Sequence, residues 1–210
     1  MEILQIEKSD RYKFRVMFTM EGQELSMPLY YSELRRFHIS EGAVLEDALF
    51  DRICTEVLYK RAVERSQYLL GRKNYTVAEL ARKLREGYYP ESVITHTVDK
   101  LKEYHFLDDC DYATSYIAYK SQTKSRRRIC QELRAKGVSQ DVVEQVLEES
   151  ALSDEQALLK LATKRCKSAD LSDQSVYCRQ MRYLLAHGFV YEDVSRVLSD
   201  IRRCQANNYS

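Results

Sequence analysis

Over the first thirty residues the apolar positions recur every second place. Tyr12, Phe14, Val16 and Phe18 alternate with Lys13, Arg15, Met17 and Thr19, the pattern of a strand with one buried face. Glu21-Gly22-Gln23 supplies a turn, and Glu24 to Leu29 returns as a second strand. Ile3 to Ile6 is a candidate third. A sheet this small needs helices packed on it to be stable.

From Tyr30 onward the spacing becomes helical. Leu45, Leu49, Ile53 and Val57 follow one another at four-residue steps, which lays a single apolar stripe along a helix. No strand is expected beyond this point. Instead the pattern repeats. Leu84, Leu133 and Leu184 align together with Ile94, Val143 and Val194, and with Val98, Leu147 and Leu198, at separations of 49 and 51 residues.

Each copy ends a helical stretch at a glycine: Gly87, Gly137 and Gly188. Glycine is expected there as the left-handed residue that stops a helix. New helices then start at Pro90-Glu91, Ser139-Gln140-Asp141 and Tyr191-Glu192-Asp193, where proline suits a first helical position and acids suit the positive end of the dipole. A longer helix precedes each pair, over roughly 45–70, 109–122 and 153–167. Thr76-x-x-Glu79 and Ser153-x-x-Gln156 read as capping boxes.

The expected fold is therefore mainly α: three tandem three-helix repeats forming an elongated, curved body, with a small N-terminal β-hairpin. The segments are 1–44 for the hairpin and a short helix, then 45–106, 107–150 and 151–210 for the repeats. Only two prolines and six glycines, with 31% charged residues, suit long solvated helices better than a turn-rich β protein. The aligned apolar residues are expected to be core, and they specify fold rather than function.

Candidate chemistry is sparse. The chain carries no G-x-S-x-G, P-loop or H-E-x-x-H pattern, and its four histidines, His38, His96, His105 and His187, lie far apart. Asp108, Asp109 and Asp111 precede a helix and are explained as acids at its N-terminus. Six cysteines include no C-x-x-C pair, so free thiols in a reducing cytoplasm are expected. Cys110 and His105 lack further ligands at zinc spacing. An enzyme is not expected, nor a cofactor or a bound metal. No stretch reaches the roughly 18–20 apolar residues of a membrane span, so no membrane partner is expected.

The formal charge is only +1, so any electrostatic function must come from local segregation. Lys120, Lys124, Arg126, Arg127, Arg128, Arg134 and Lys136 face a single acid, Glu132, within their stretch. A second basic zone runs from Lys60 to Arg85 and includes Arg82, Lys83 and Arg85. Asp141, Glu144, Glu148, Glu149, Asp154 and Glu155 form an acidic stretch between the second and third repeats. Charge runs are often just solvated helix faces. Three consecutive arginines with few acids nearby nevertheless favour an acidic protein partner or a nucleic-acid backbone. Tyr112, Tyr116 and Tyr119 share one helix face, for which packing is preferred to base stacking.

These residues resemble a known family. Leu107-Asp108-Asp109-x-x-Tyr112-Ala113, followed by Arg127-Arg128-Ile129-x-x-Glu132-Leu133-x-x-Lys136-Gly137-Val138, is similar to the middle repeat of the RecX regulators. Glu79-Leu80-x-x-Lys83-Leu84 resembles their first repeat, and Tyr183-Leu184-x-x-x-Gly188-Phe189-x-Tyr191-Glu192-Asp193-Val194 their last. The first repeat departs from the pattern at Glu86-Gly87-Tyr88, where the usual Lys-Gly is absent.

The resemblance implies a non-catalytic, monomeric protein that lies in the groove of a RecA filament on DNA. It also implies restraint of the recombinase's ATP hydrolysis, coprotease activity and strand exchange. On that view Lys120, Lys124, Arg126, Arg127, Arg128, Arg134 and Lys136, with Arg82, Lys83 and Arg85, contact the recombinase or DNA phosphates. Two other readings stand beside it: a helical-repeat protein that binds DNA or RNA independently of any recombinase, and a helical scaffold for another partner.

Overall fold

The structure is a computed structural model that describes residues 1–150 and 153–207. It separates into two compact units, Met1–Asp108 and Asp109 onward. The start of the third repeat expected at residue 151 lies outside the described residues.

The first unit opens with a three-stranded antiparallel sheet in the order β1 (Glu2–Lys8), β2 (Lys13–Met20), β3 (Gln23–Tyr30). The expected hairpin is there, and the candidate third strand is present and longer than Ile3 to Ile6. Glu21 and Gly22 both have positive φ, 51° and 79°, as a two-residue hairpin loop requires for its twist to match that of the strands. Alternation buries Val16 and Phe18 on β2 and sets Val16 opposite Met27. Tyr12 falls just outside β2 and is exposed.

Helices cover the buried face. A short helix, α1 (Tyr31–Arg36), leads to α2 (Asp47–Ile53), a π-helical turn (Cys54–Leu58) and α3 (Tyr59–Leu70), which run on from one another. Phe50 on α2 meets Phe18 of the sheet with ring centroids 5.3 Å apart. The π turn was not anticipated, and it has a visible cause. The buried positions Ile53 and Val57 continue the four-residue stripe, and then Leu58, Ala62 and Ser66 take up the same spacing one residue later. Ile53 to Leu58 is a five-residue step, which an i→i+5 turn accommodates.

Helices α4 (Val77–Arg85) and α5 (Glu91–Glu103) complete this unit. The Thr76–Glu79 capping box is formed in both directions, with Glu79 N–H donating to Thr76 Oγ1 at 3.1 Å and Thr76 N–H to Glu79 Oε2 at 3.4 Å.

The second unit holds α6 (Asp109–Lys120), α7 (Arg126–Ala135) and α8 (Gln140–Glu149), then α9 (Asp154–Cys166), α10 (Gln174–Ala186) and α11 (Tyr191–Asn207). Each trio has its own apolar cluster, one around Ile117, Ile129 and Leu133, the other around Leu158, Leu161 and Leu184. All nine aligned apolar positions of the three repeats are buried.

The helix-stopping glycines need one correction. Gly137 and Gly188 have φ of 84° and 91°, as expected, but in the first repeat the left-handed residue is Tyr88, at 67°, and not Gly87. Counting from the aligned leucines explains it. Tyr88, Gly137 and Gly188 each lie four residues after Leu84, Leu133 and Leu184. Tyr89 N–H donates to Leu84 O as Val138 N–H does to Leu133 O, so the turn geometry is the same. Left-handed geometry costs a tyrosine about 1 kcal/mol. The guanidinium of Arg15, 4.6 Å from the Tyr88 ring centroid, offsets part of that.

Candidate partner-binding surface

The arginine run forms the first turn of α7, where the positive end of the helix dipole makes cations locally unfavourable. No acid occupies that turn. What fixes it is its cap and its neighbours. Ser125, buried, accepts from Arg128 N–H through Oγ at 3.2 Å. Its own N–H donates to His187 O of the third repeat at 3.1 Å, and Arg126 N–H donates to Asp154 Oδ1 at 2.7 Å. The backbone of this turn is thereby tied to α9 and to the end of α10. The side chains of Arg126, Arg127 and Arg128 are exposed.

The expectation that this run is nearly unpaired needs correction. Glu132 is a hub: Lys124 Nζ donates to both its oxygens at 2.5 and 2.6 Å, Arg128 Nε to Oε1 at 3.1 Å, and the Tyr116 hydroxyl to Oε2 at 2.7 Å. Helical spacing places Arg128 one turn before Glu132, and the loop ahead of Ser125 brings Lys124 to the same carboxylate. Burial alone would raise the Glu132 pKa. The bonds from Lys124 and Tyr116, with the charges of Lys124 and Arg128, outweigh it and hold the carboxyl below its ordinary range. Burial, followed by the bond to Glu132, pushes Tyr116 up to about 12.

The other predicted residues divide. Lys120 lies 4.4 Å from the Tyr119 ring centroid, Lys136 within 6 Å of both Tyr112 and Tyr116, and Arg134 reaches Glu144 at 3.8 Å. Tyr112 and Tyr116 stack on one another at 6.1 Å and pack against the core of their repeat, while Tyr119 is exposed. Among the described residues Arg126 and Arg127 make no ion pair. Their charge is uncommitted among the described residues.

Arg82, Lys83 and Arg85 belong to the first unit, on the last turn of α4, where cations suit the helix dipole. Lys83 pairs with Glu86 at 2.6 Å and Arg85 with both oxygens of Glu91 at 2.5 and 2.9 Å. Exposed pairs like these contribute little to stability, and they leave Arg82 as the unpaired member of the three among the described residues. No group of three or more His, Cys, Asp or Glu capable of holding a metal occurs among the described residues. No described helix is long and apolar enough to cross a membrane.

Comparison with known proteins gives a consistent result. Residues 62–101 match the model of the first three-helix domain of RecX, and residues 108–147 that of the second. A regulatory protein RecX of Vibrio parahaemolyticus is 36% identical over 135 residues, which cover 62% of this chain and 85% of that protein. One from Clostridium botulinum is 28% identical over 210 residues, 95% of each chain. A crystal structure of regulatory protein RecX superposes with a TM-score of 0.56 at 23% identity, covering 93% of this chain and 98% of the other. RecX from Lactobacillus salivarius gives the same TM-score over 68% of this chain.

Proposed function

The chain belongs to the RecX family of regulatory proteins, and from that premise we propose that it binds the RecA filament on DNA and restrains the recombinase by occupancy, without catalysis of its own. The observation that carries this reading is the first turn of α7. Arg126 and Arg127 are exposed, free of ion pairs among the described residues, and set at the helix end where the dipole disfavours them. Local stability would have chosen acids there. A surface held rigidly by Ser125 and Asp154 and carrying uncommitted guanidinium groups suits bidentate contact with carboxylates or phosphates. Lys120, Arg134 and Lys136 extend the same basic region. Lys124 and Arg128 act through Glu132, which spaces and orients them. Arg82, Lys83 and Arg85 offer a second set of contacts, and several modest contacts add up along a repeating filament.

The test is inhibition of RecA ATP hydrolysis on single-stranded DNA by the Arg126→Ala/Arg127→Ala variant, with helical content checked by circular dichroism. Inhibition should require roughly fivefold or more additional protein. A pull-down with RecA in the presence and absence of single-stranded DNA shows whether filament or free protein is the target. Unchanged inhibition by the double variant overturns the assignment of this surface.

A further inference from the structure

The third repeat carries a basic surface that the function proposed above does not use. Residues 156–191 hold six bases, Lys160, Lys164, Arg165, Lys167, Arg179 and Arg182, against two acids, Asp170 and Asp173. Both acids serve the loop ahead of α10. Asp170 accepts from the N–H and the hydroxyl of Ser172 at 2.9 and 2.6 Å, and Asp173 caps α10 by accepting from Ser175 N–H at 2.7 Å. The cations whose charge acts on them are Arg202 and Arg179. Lys167 lines the same hollow as Asp170, but none of the six bases makes an ion pair among the described residues.

Three of the bases form a stripe. Lys160, Lys164 and Lys167 follow at four- and three-residue steps along α9 and its C-terminal cap, so they share one helix face, and all three are exposed. Other helices of this protein use that spacing to pair a base with an acid: Arg52 with Glu56, Lys100 with Glu103, Arg128 with Glu132 and Arg196 with Asp193. On α9 the residue at that spacing is another lysine. Like charges so placed destabilise a helix, as opposite ones support it. The helix dipole accounts for cations in the last turn, but it does not reach Lys160. Helix stability therefore does not explain the stripe, and an anion laid along it removes the repulsion.

Its composition says which anion. Protein–protein interfaces are depleted in lysine and apolar at their centres, whereas Leu159 is the one large apolar side chain exposed on α9 among the described residues. Nucleic-acid interfaces are much more positively charged, and a lysine ammonium meets a phosphate as a point charge. The stripe also adjoins further basic surface. Lys160 Nζ donates to Gln122 Oε1 at 3.1 Å, which sets this end of it beside the loop that leads from α6 into the arginine turn of α7.

We propose that the α9 stripe is a phosphate track for a nucleic-acid backbone, held without regard to base sequence, with Lys160, Lys164 and Lys167 as the phosphate contacts. The backbone is that of a single strand or of a duplex. The contact needs no recombinase, so the proposal stands apart from the reading of the α7 surface.

The experiment measures fluorescence anisotropy on the full chain across a salt series, with labelled oligo-dT, a labelled duplex of the same length and labelled poly-glutamate as separate ligands. Lys160→Gln/Lys164→Gln/Lys167→Gln removes the stripe and leaves Arg165 on the Tyr183 ring. It should weaken DNA binding about tenfold or more and lower the salt slope by about 2 on a single strand or about 2.7 on a duplex, the values for three lost phosphate contacts. Lys160→Arg/Lys164→Arg/Lys167→Arg should retain binding, which separates charge from folding. Loss confined to oligo-dT identifies a single strand as the source of the phosphates, loss confined to the duplex identifies a double strand, and loss on both identifies a track that takes either. Unchanged affinity and slope in the glutamine variant overturn the proposal, as does an equal loss in the arginine variant or a wild-type chain that binds neither DNA at low salt. So does poly-glutamate binding that the glutamine variant loses while DNA binding persists, the mark of an acidic protein partner.

Discussion

Gly188 and Ser125 meet so closely that a Cβ on the glycine would lie 2.5 Å from the serine Oγ and 2.6 Å from Arg128 Cβ. The left-handed residue that ends α10 is thus also the seat for the cap of α7. One glycine stops a helix in the third repeat and admits the basic turn of the second.

Gly188→Ala should therefore be costly twice over, through its φ of 91° and through overlap with a backbone-bonded cap. A loss of about 2–4 kcal/mol is expected, read as a fall in the denaturant midpoint. Gly137→Ala, at a φ of 84°, should cost about 1 kcal/mol from its left-handed backbone.

Glu132→Gln should remove the charge that Lys124 and Arg128 share, lowering stability at neutral pH by about 1–3 kcal/mol. The pH dependence has a definite sign. The folded carboxyl titrates below its ordinary value, so its contribution is complete above the unfolded value of about 4.3 and is lost as pH falls through the folded one. Urea midpoints of wild type and variant should differ at pH 7 and converge in acid.

Gln205, on the last turns of α11, accepts from Leu171 N–H and donates to the carbonyls of Cys166 and Ala169 at 3.1 and 2.9 Å. This side chain fastens the end of the C-terminal helix to the loop after α9. Gln205→Ala should cost about 1–3 kcal/mol by removing these three bonds, and limited proteolysis should cut the 167–173 loop faster.

Thiol labelling at pH 8 should divide the cysteines. Burial, reinforced by the charge of Asp51, pushes Cys54 up to about 11, leaving about a thousandth of it as the reactive thiolate. Cys166 is buried, whereas Cys178 and Cys204 are exposed. Mass spectrometry after brief iodoacetamide treatment should find the last two modified and Cys54 and Cys166 intact.

Much of this was legible in the sequence because apolar spacing reports burial directly. The alternation of Val16 and Phe18 and the threefold recurrence of Leu84, Leu133 and Leu184 are statements about which faces leave water. Charge is less legible. Lys124 is eight residues from Glu132, and only the loop between α6 and α7 decides that they meet. Tyr88 shows that position, counted four residues from Leu84, decides where the left-handed backbone falls, and that the neighbouring glycine does not.

The π turn between α2 and α3 lets the helix carry one residue more than its buried stripe needs. Each residue advances a regular helix by about 100°, and the wider turn absorbs the extra one so that Ile53 and Leu58 both stay on the buried face. Deleting Thr55, which is exposed and donates through Oγ1 to Asp51 O at 2.7 Å, would make the step from Ile53 to Leu58 four residues. An unbroken α-helix would then keep Leu58, Ala62 and Ser66 in line with Ile53, so the unit built on this helix should survive the loss.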